Sequence, residues 1–163
     1  MDRNMVTLRF VGRVQTRLLA EEIRADARDL DAIIEVFPEY QEGLDGLQGF
    51  SHIFVLSYFN KLRPDQIGPL KVRPRRLLRY GVQLEDLPLL GVFALDSPTR
   101  PNPIGLTLVK LIRIEGNLLH VRGLDLFDGT PVLDLKPYRS NYRADSFKIP
   151  DWDLKLLRMT GQA

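Results

Sequence analysis

The 163-residue chain contains no cysteine. That absence excludes a disulfide framework, a thiolate zinc site, an iron–sulfur cluster and a cysteine nucleophile. It fits a reducing compartment, and the cytoplasm is the expected location. Histidine is nearly as scarce: His52 and His120 are the only two, so a three-histidine metal site is excluded and no metal is expected. No apolar run approaches the ~20 residues a helix needs to cross a bilayer. The start, Met1-Asp2-Arg3-Asn4, lacks the apolar core and small-residue cleavage pattern of a signal peptide. No membrane partner is expected. Standard catalytic motifs are missing too: there is no G-x-G-x-x-G, Walker A, G-x-S-x-G or H-E-x-x-H. Ser51-His52 comes nearest to a nucleophile–base pair, but neighbours on a strand point to opposite faces and are not expected to meet.

What is present describes a folded chain. It is 44% hydrophobic and 27% charged with net charge +2, which rules against disorder. The length predicts one domain spanning 1–163, with 139–163 as a tail packing on it. Val6, Leu8, Phe10 and Val14 alternate with Thr7, Arg9 and Arg13, the period of a half-buried strand over Val6–Val14. Ala20–Arg28 is helix-prone and charged, either a turn or two of helix or an exposed loop. Further strands are predicted at Ala32–Phe37, Ser51–Phe59, Leu90–Leu95, Leu106–Glu115, Leu118–Leu124 and Val132–Leu135. Glu115-Gly116-Asn117 is a hairpin signal. A short turn of helix is expected over Tyr40–Gly49, and a long loop over Lys61–Glu85, which holds Pro64, Pro69 and Pro74. Several short strands with Gly/Pro turns and little helix predict a mostly β sandwich or barrel.

Three segments carry candidate chemistry. Asp96-Ser97-Pro98-Thr99-Arg100-Pro101-Asn102-Pro103 packs three prolines around a cation and an amide. Prolines pre-set the backbone, which lowers the entropy cost of holding a ligand. Arg100 offers a planar fork of donors and Asn102 both donates and accepts. The alternative is a rigid turn whose arginine is used internally. The second segment is Asp125-Leu126-Phe127-Asp128-Gly129-Thr130-Pro131, followed by Asp134, Lys136 and Tyr138. Its carboxylates can accept from ribose hydroxyls, hold an amine or take a proton. The alternative is a solvated Asp-Gly turn. The third segment holds Lys71, Arg73, Arg75, Arg76 and Arg79 with no acid before Glu85. Five cations beside Tyr80 suit RNA phosphates, against a merely solvated loop face.

Gly91-Val92-Phe93-Ala94, Arg100-Pro101-Asn102-Pro103-Ile104-Gly105-Leu106 and Leu124-Asp125-Leu126-Phe127-Asp128-Gly129-Thr130-Pro131 through Tyr138 resemble the signatures of one family. It is the TsaA-like family, which includes the tRNA threonylcarbamoyladenosine methyltransferases. Gly46-Leu47-Gln48-Gly49-Phe50-Ser51-His52 resembles the family's segment before its central strand. The resemblance implies a small antiparallel β-barrel that binds S-adenosylmethionine at a homodimer interface and methylates N6 of threonylcarbamoyladenosine in tRNA. It implies cofactor contacts at Asn60, Leu106, Asp125, Leu126, Phe127, Asp128 and Gly129. Asp125 and Asp128 are the expected catalytic residues. Arg100, Asn102, Lys136, Tyr138, Arg73 and Arg76 are the expected substrate contacts. Two positions depart from the family: Asp96 stands where it usually has a cofactor-binding arginine, and Asn60 where it often has histidine. No counterpart of the tRNA enzymes' Pro-Arg-Gln segment is read around Ile23–Asp31, and none of their extra C-terminal domain is expected in these 163 residues.

Overall fold

The structure, a computed structural model of the chain, describes residues 5–160, so Met1-Asp2-Arg3-Asn4 lies outside it. Its strands are β1 (Gly12–Gln15), β2 (Asp31–Val36), β3 (His52–Tyr58), β4 (Lys71–Val72), β5 (Leu90–Gly91), β6 (Ile104–Glu115), β7 (Leu118–Arg122) and β8 (Pro131–Pro137). Two α-helices, α1 (Ala20–Ala25) and α2 (Asp151–Met159), join them. Six strands close into a barrel in the order β1-β2-β7-β6-β3-β8, every neighbouring pair antiparallel, and β8 pairs back onto β1. The mostly β, antiparallel barrel that the sequence led us to expect is therefore what forms. Closure leaves these strands no open sheet edge.

Alternation explains the barrel. Along β2 the inward residues are Ala32, Ile34 and Val36; along β3 they are Ile53, Val55 and Ser57. With Val14, Val109, Leu119, Val121 and Val132 they form one apolar interior. Burying a side chain of this size contributes about 1.5–3 kcal/mol. Bulges at Leu56/Ser57 and Leu111/Arg113 add the bend that closure requires. Gly12 is demanded by close approach: a Cβ there would lie 2.3 Å from the carbonyl oxygen of Glu35.

The sequence-based boundaries need three corrections. Ladder pairing starts at Gly12 rather than Val6, and Val6, Leu8 and Phe10 are exposed. Alternation makes a segment able to join a sheet but does not provide it with a partner. The stretch expected as a strand to Leu95 is strand only at Leu90–Gly91, then a 3₁₀ turn over Val92–Ala94. Lys61–Glu85 is not a plain loop but a chain of short elements, with 3₁₀ turns at Pro64–Gln66, Arg75–Tyr80 and Leu84–Asp86. Pro64 opens the first of these, where a missing N–H costs nothing.

The chain divides into two compact units. One is the barrel, up to Lys61 with Ile104–Arg139; the other is Leu62–Pro103 with the chain from Ser140 onward. The second has its own small core of Leu77, Val82, Leu87 and Leu156, flanked by Tyr80, Leu84 and Trp152. Leu156 and Trp152 come from α2, in the tail expected to pack on the domain. β4 and β5 form a two-stranded ribbon in this unit.

On the barrel's outer face, cross-strand partners Arg13 and Glu35, and Arg122 and Asp31, form ion pairs at 2.6 Å each. The hydrogen bond from each guanidinium holds its carboxyl below the usual range. A carboxyl lowered in the folded state stabilises above its unfolded pKa, and that contribution disappears as pH falls through the folded value. An Arg122→Ala variant is accordingly expected to melt slightly below the parent at neutral pH and to converge with it in acid, as calorimetry at the two extremes will show. For the backbone contact, Gly12→Ala is expected to cost about 1–3 kcal/mol. At roughly 2–4 °C per kcal/mol that is a clear drop in Tm. Gly43→Ala, whose Cβ meets nothing within 4 Å, is the control and should leave Tm unchanged.

Candidate functional site

The connection from β7 to β8 is held by two anchors. Leu124 and Leu126 are buried in the barrel core, 1% and 4% exposed. Their spacing of two leaves Asp125 and Asp128 exposed and Phe127 half-buried. Gly129 takes φ +74°, a conformation that favours glycine, and its N–H donates to the Val14 carbonyl at 2.9 Å. The turn is thereby stitched to β1.

Both carboxylates are oriented by chain-distant groups. The Thr107 hydroxyl on β6 donates to Oδ1 of Asp125 at 2.8 Å. The Thr16 main-chain N–H donates to Oδ1 of Asp128 at 3.0 Å. Each Oδ2 has no hydrogen-bond partner among the described residues. Lys61 Nζ donates to the Asp128 carbonyl at 2.7 Å and lies 5.9 Å from the Phe127 ring centroid. The Arg24 guanidinium of α1 lies 5.0 Å from the same centroid. Two cations thus flank the ring beside two carboxylates. Such carboxylates can accept a hydroxyl or ammonium hydrogen at the open oxygen, or take a proton there. Asp128 also lines an open groove of about 670 Å³ with Gln15, Thr16, Asp31, Arg113 and His120.

The other expected residues divide by what they touch. Leu126 lies in the core, so any contact it makes with a ligand is through its main chain. Asn60 is exposed just past β3, next to the Lys61 that ties the turn. Leu106 is 67% exposed on β6, but strand alternation puts it on the face opposite Thr107, which holds Asp125. The two side chains are not brought together within one copy. Lys136 pairs with Asp134 at 2.7 Å, and Tyr138 packs edge-on against Phe54 and His52.

In the second unit, Arg100 Nη2 donates to the carbonyls of Val92 and Leu95 at 2.8 and 2.7 Å, and its Nε is buried without a partner among the described residues. It clamps its own loop. Asn102 and Asp96 are exposed. Arg73 donates to the Leu87 carbonyl, and Arg79 stacks on Tyr80. The exposed side chains of Lys71, Arg75 and Arg76 have no ion pair or hydrogen bond among the described residues.

Sequence reasoning missed Thr16, Arg24, Lys61 and Thr107, because nothing local marks them: Thr16 is 112 residues from the aspartate it orients. It also set aside Ser51 and His52 as unable to meet. Ser51 Oγ in fact lies 2.9 Å from His52 Nδ1, because Ser51 precedes β3 and strand alternation does not govern it.

Residues 23–145 match the tRNA-methyltransferase O N-terminal domain model. A probable S-adenosyl-L-methionine-binding protein of Pyrococcus abyssi is 37% identical over 129 residues, covering 79% of this chain and 58% of the relative. A tRNA (adenine(37)-N6)-methyltransferase of Mus musculus is 43% identical over 107 residues, covering 66% of this chain and 23% of the relative. A crystal structure of TrmO superposes with TM-score 0.67 at 31% identity, covering 88% of this chain and 63% of that one. The chain therefore spans less than two thirds of the length of each. With the match covering most of its 163 residues and running through both the barrel and the β7–β8 turn, the chain belongs to the tRNA-methyltransferase O N-terminal domain family.

Proposed function

We propose that this chain is an S-adenosylmethionine-dependent methyltransferase acting on N6 of threonylcarbamoyladenosine in tRNA. The observation that carries the reading is the β7–β8 turn of a family member, with two carboxylates each fixed at one oxygen and open at the other. The names of the relatives support the ligand and the base acted on.

The donor set fits the cofactor. An ammonium, a ribose diol and a sulfonium call for acceptors and negative charge, which Asp125 and Asp128 supply. Phe127 and Leu106 offer apolar surface, Asn60 a donor and an acceptor, and Leu126 and Gly129 their main chain. When bound, the cofactor supplies a methyl group on a good leaving group. The work left to the chain is alignment and removal of one proton. A urea-like N–H is a weak nucleophile until deprotonated, so the open Oδ2 of Asp125 or Asp128 accepts that proton. On the barrel unit Lys136 and Tyr138 are the substrate contacts of this reading; on the second unit it is Asn102, with Arg100 holding that loop. Lys71, Arg75 and Arg76 take phosphates, with Arg73 contributing what its bond to Leu87 leaves available. The reading places the chain in the cytoplasm with its tRNA. It also takes the chain as a homodimer: Leu106 and Leu108 expose apolar side chains on the outside of β6, and a second copy could bring Leu106 to a partner's turn.

Calorimetric titration of S-adenosylmethionine is expected to show saturable binding, with about 2.7 kcal/mol of added stability at 100 times Kd. Asp125→Asn should weaken binding at least tenfold with an unchanged Tm, because the side chain is exposed. Binding with no transfer to any tRNA pool would favour a non-catalytic adenosyl-ligand or RNA-binding module, which Asp96 in place of arginine supports. A smaller methyl acceptor would show as transfer to free threonylcarbamoyladenosine but not to tRNA. For the cations, Lys71→Ala and Arg76→Ala should each flatten the log–log salt dependence of RNA binding by about 0.7–0.9. Unchanged slopes would remove these residues from the interface.

A further inference from the structure

Most aromatic rings placed near a cation or another ring in this chain are already covered. Phe127 is flanked by Arg24 and Lys61, Tyr80 by Arg79 and Phe50 by Arg139, while Phe54, His52 and Tyr138 pack on one another. Phe93 is the exception on an ordered element: it is 83% exposed and has no ring or cation contact among the described residues.

Its backbone, by contrast, is held tightly. Phe93 is the middle residue of the 3₁₀ turn Val92–Ala94. Val92, beside it, is buried at 1%, and its N–H donates to the Leu70 carbonyl at 3.0 Å. Arg100 spans the turn, donating to the carbonyls of Val92 and Leu95 on either side. The ring therefore projects from a pinned loop into solvent. Leu70 and Leu89, flanking the same β4–β5 ribbon, are 64% and 56% exposed and widen the apolar surface. Scattered single apolar residues need no explanation, but a clamped aromatic among exposed leucines does.

The charge around it selects the occupant. Lys71 is the cross-strand partner of Gly91, two residues from Phe93, and Arg73, Arg75 and Arg76 follow along the chain with no acid before Glu85. An exposed ring two residues from Gly91, the cross-strand partner of Lys71, with Arg75 and Arg76 also unpaired among the described residues and Asp96 the nearest acid in sequence, matches a base on the ring and phosphates on these three cations.

We propose that Phe93 is a stacking platform for an unpaired base of single-stranded RNA, with Lys71, Arg75 and Arg76 holding the adjoining phosphates. Arg100 acts as a positioning residue that fixes the ring's platform. The inference rests on the RNA reading above and adds to it the residue that distinguishes single strands from duplex. A duplex keeps its bases stacked on each other, so only its phosphates are available to this surface.

The test is fluorescence anisotropy of the full chain with a labelled single-stranded RNA oligonucleotide and with its duplex, over a salt titration. Phe93→Ala should weaken single-strand binding by roughly 5- to 100-fold, as base–aromatic stacking predicts. The salt slope and the duplex affinity should not change. Phe93→Trp should retain single-strand binding. Phe147→Ala, at an equally exposed phenylalanine in a stretch without secondary structure, should have no effect. Salt-dependent RNA binding that is indifferent to Phe93→Ala, or equally sensitive to Phe147→Ala, overturns the platform and leaves the RNA reading standing. No salt-dependent RNA binding by the parent overturns both. Light scattering supplies the remaining arm: if Phe93→Ala dissociates a dimer and leaves RNA affinity unchanged, the surface belongs to a second copy and the proposal fails.

Discussion

The hydrogen bonds that close β8 onto β1 govern the barrel and the candidate site together. Gly12 faces Val132, the Val14 N–H reaches the Thr130 carbonyl, and the Gly129 N–H reaches the Val14 carbonyl. The same few residues end the ring of strands and fix the turn that carries Asp125 and Asp128. Opening this seam would expose an apolar interior and release both carboxylates. Gly12, which faces Val132 across this seam, is glycine because on its other side a Cβ would meet the Glu35 carbonyl of β2. The site is rigid for the reason the barrel is closed.

That rigidity suits chemistry in which the ligand carries its own reactive group. A protein that needs only to align three atoms and take one proton gains most from carboxylates that do not wander. Thr107 and the Thr16 N–H each fix one oxygen and leave the other open. Lys61 adds a link from the end of β3 to the same turn. Groups on β6 and just past β1 and β3 therefore converge on the eight-residue connection from β7 to β8. In the second unit Arg100 does comparable work, donating to the carbonyls of Val92 and Leu95 in a loop whose backbone Pro98, Pro101 and Pro103 already restrict.

The two aromatic side chains at the candidate surfaces illustrate opposite uses of cations. At Phe127, Arg24 and Lys61 lie over the ring and hold it in place. At Phe93 no cation or ring covers the face among the described residues, and Lys71 lies across the ribbon from Gly91. Local sequence does not reveal these arrangements: Phe127 lies between Asp125 and Asp128, and the cations over it come from Arg24 and Lys61 far along the chain.

By itself, the sequence determined the class of the fold and the segments that matter. Short apolar and β-branched runs between Gly/Pro turns mark strands from local composition alone, but in β3 Ile53, Phe54, Val55 and Leu56 are all apolar, so only the closed barrel decides that Ile53 and Val55 face inward. The proline-rich and Asp-Gly-Thr-Pro segments stood out for the same local reason: their residue types dictate backbone shape. The tertiary structure alone decided which strands found partners, and so left Val6, Leu8 and Phe10 outside the ladder despite their strand period. It also decided what each charged side chain is engaged with. Arg100, read as a ligand fork, donates to the carbonyls of Val92 and Leu95, and Leu126, read as a cofactor contact, has its side chain in the core. Thr16, Lys61 and Thr107 carried no local signal. A hydrogen bond needs only that two groups meet, and the groups that meet here are up to 112 residues apart along the chain.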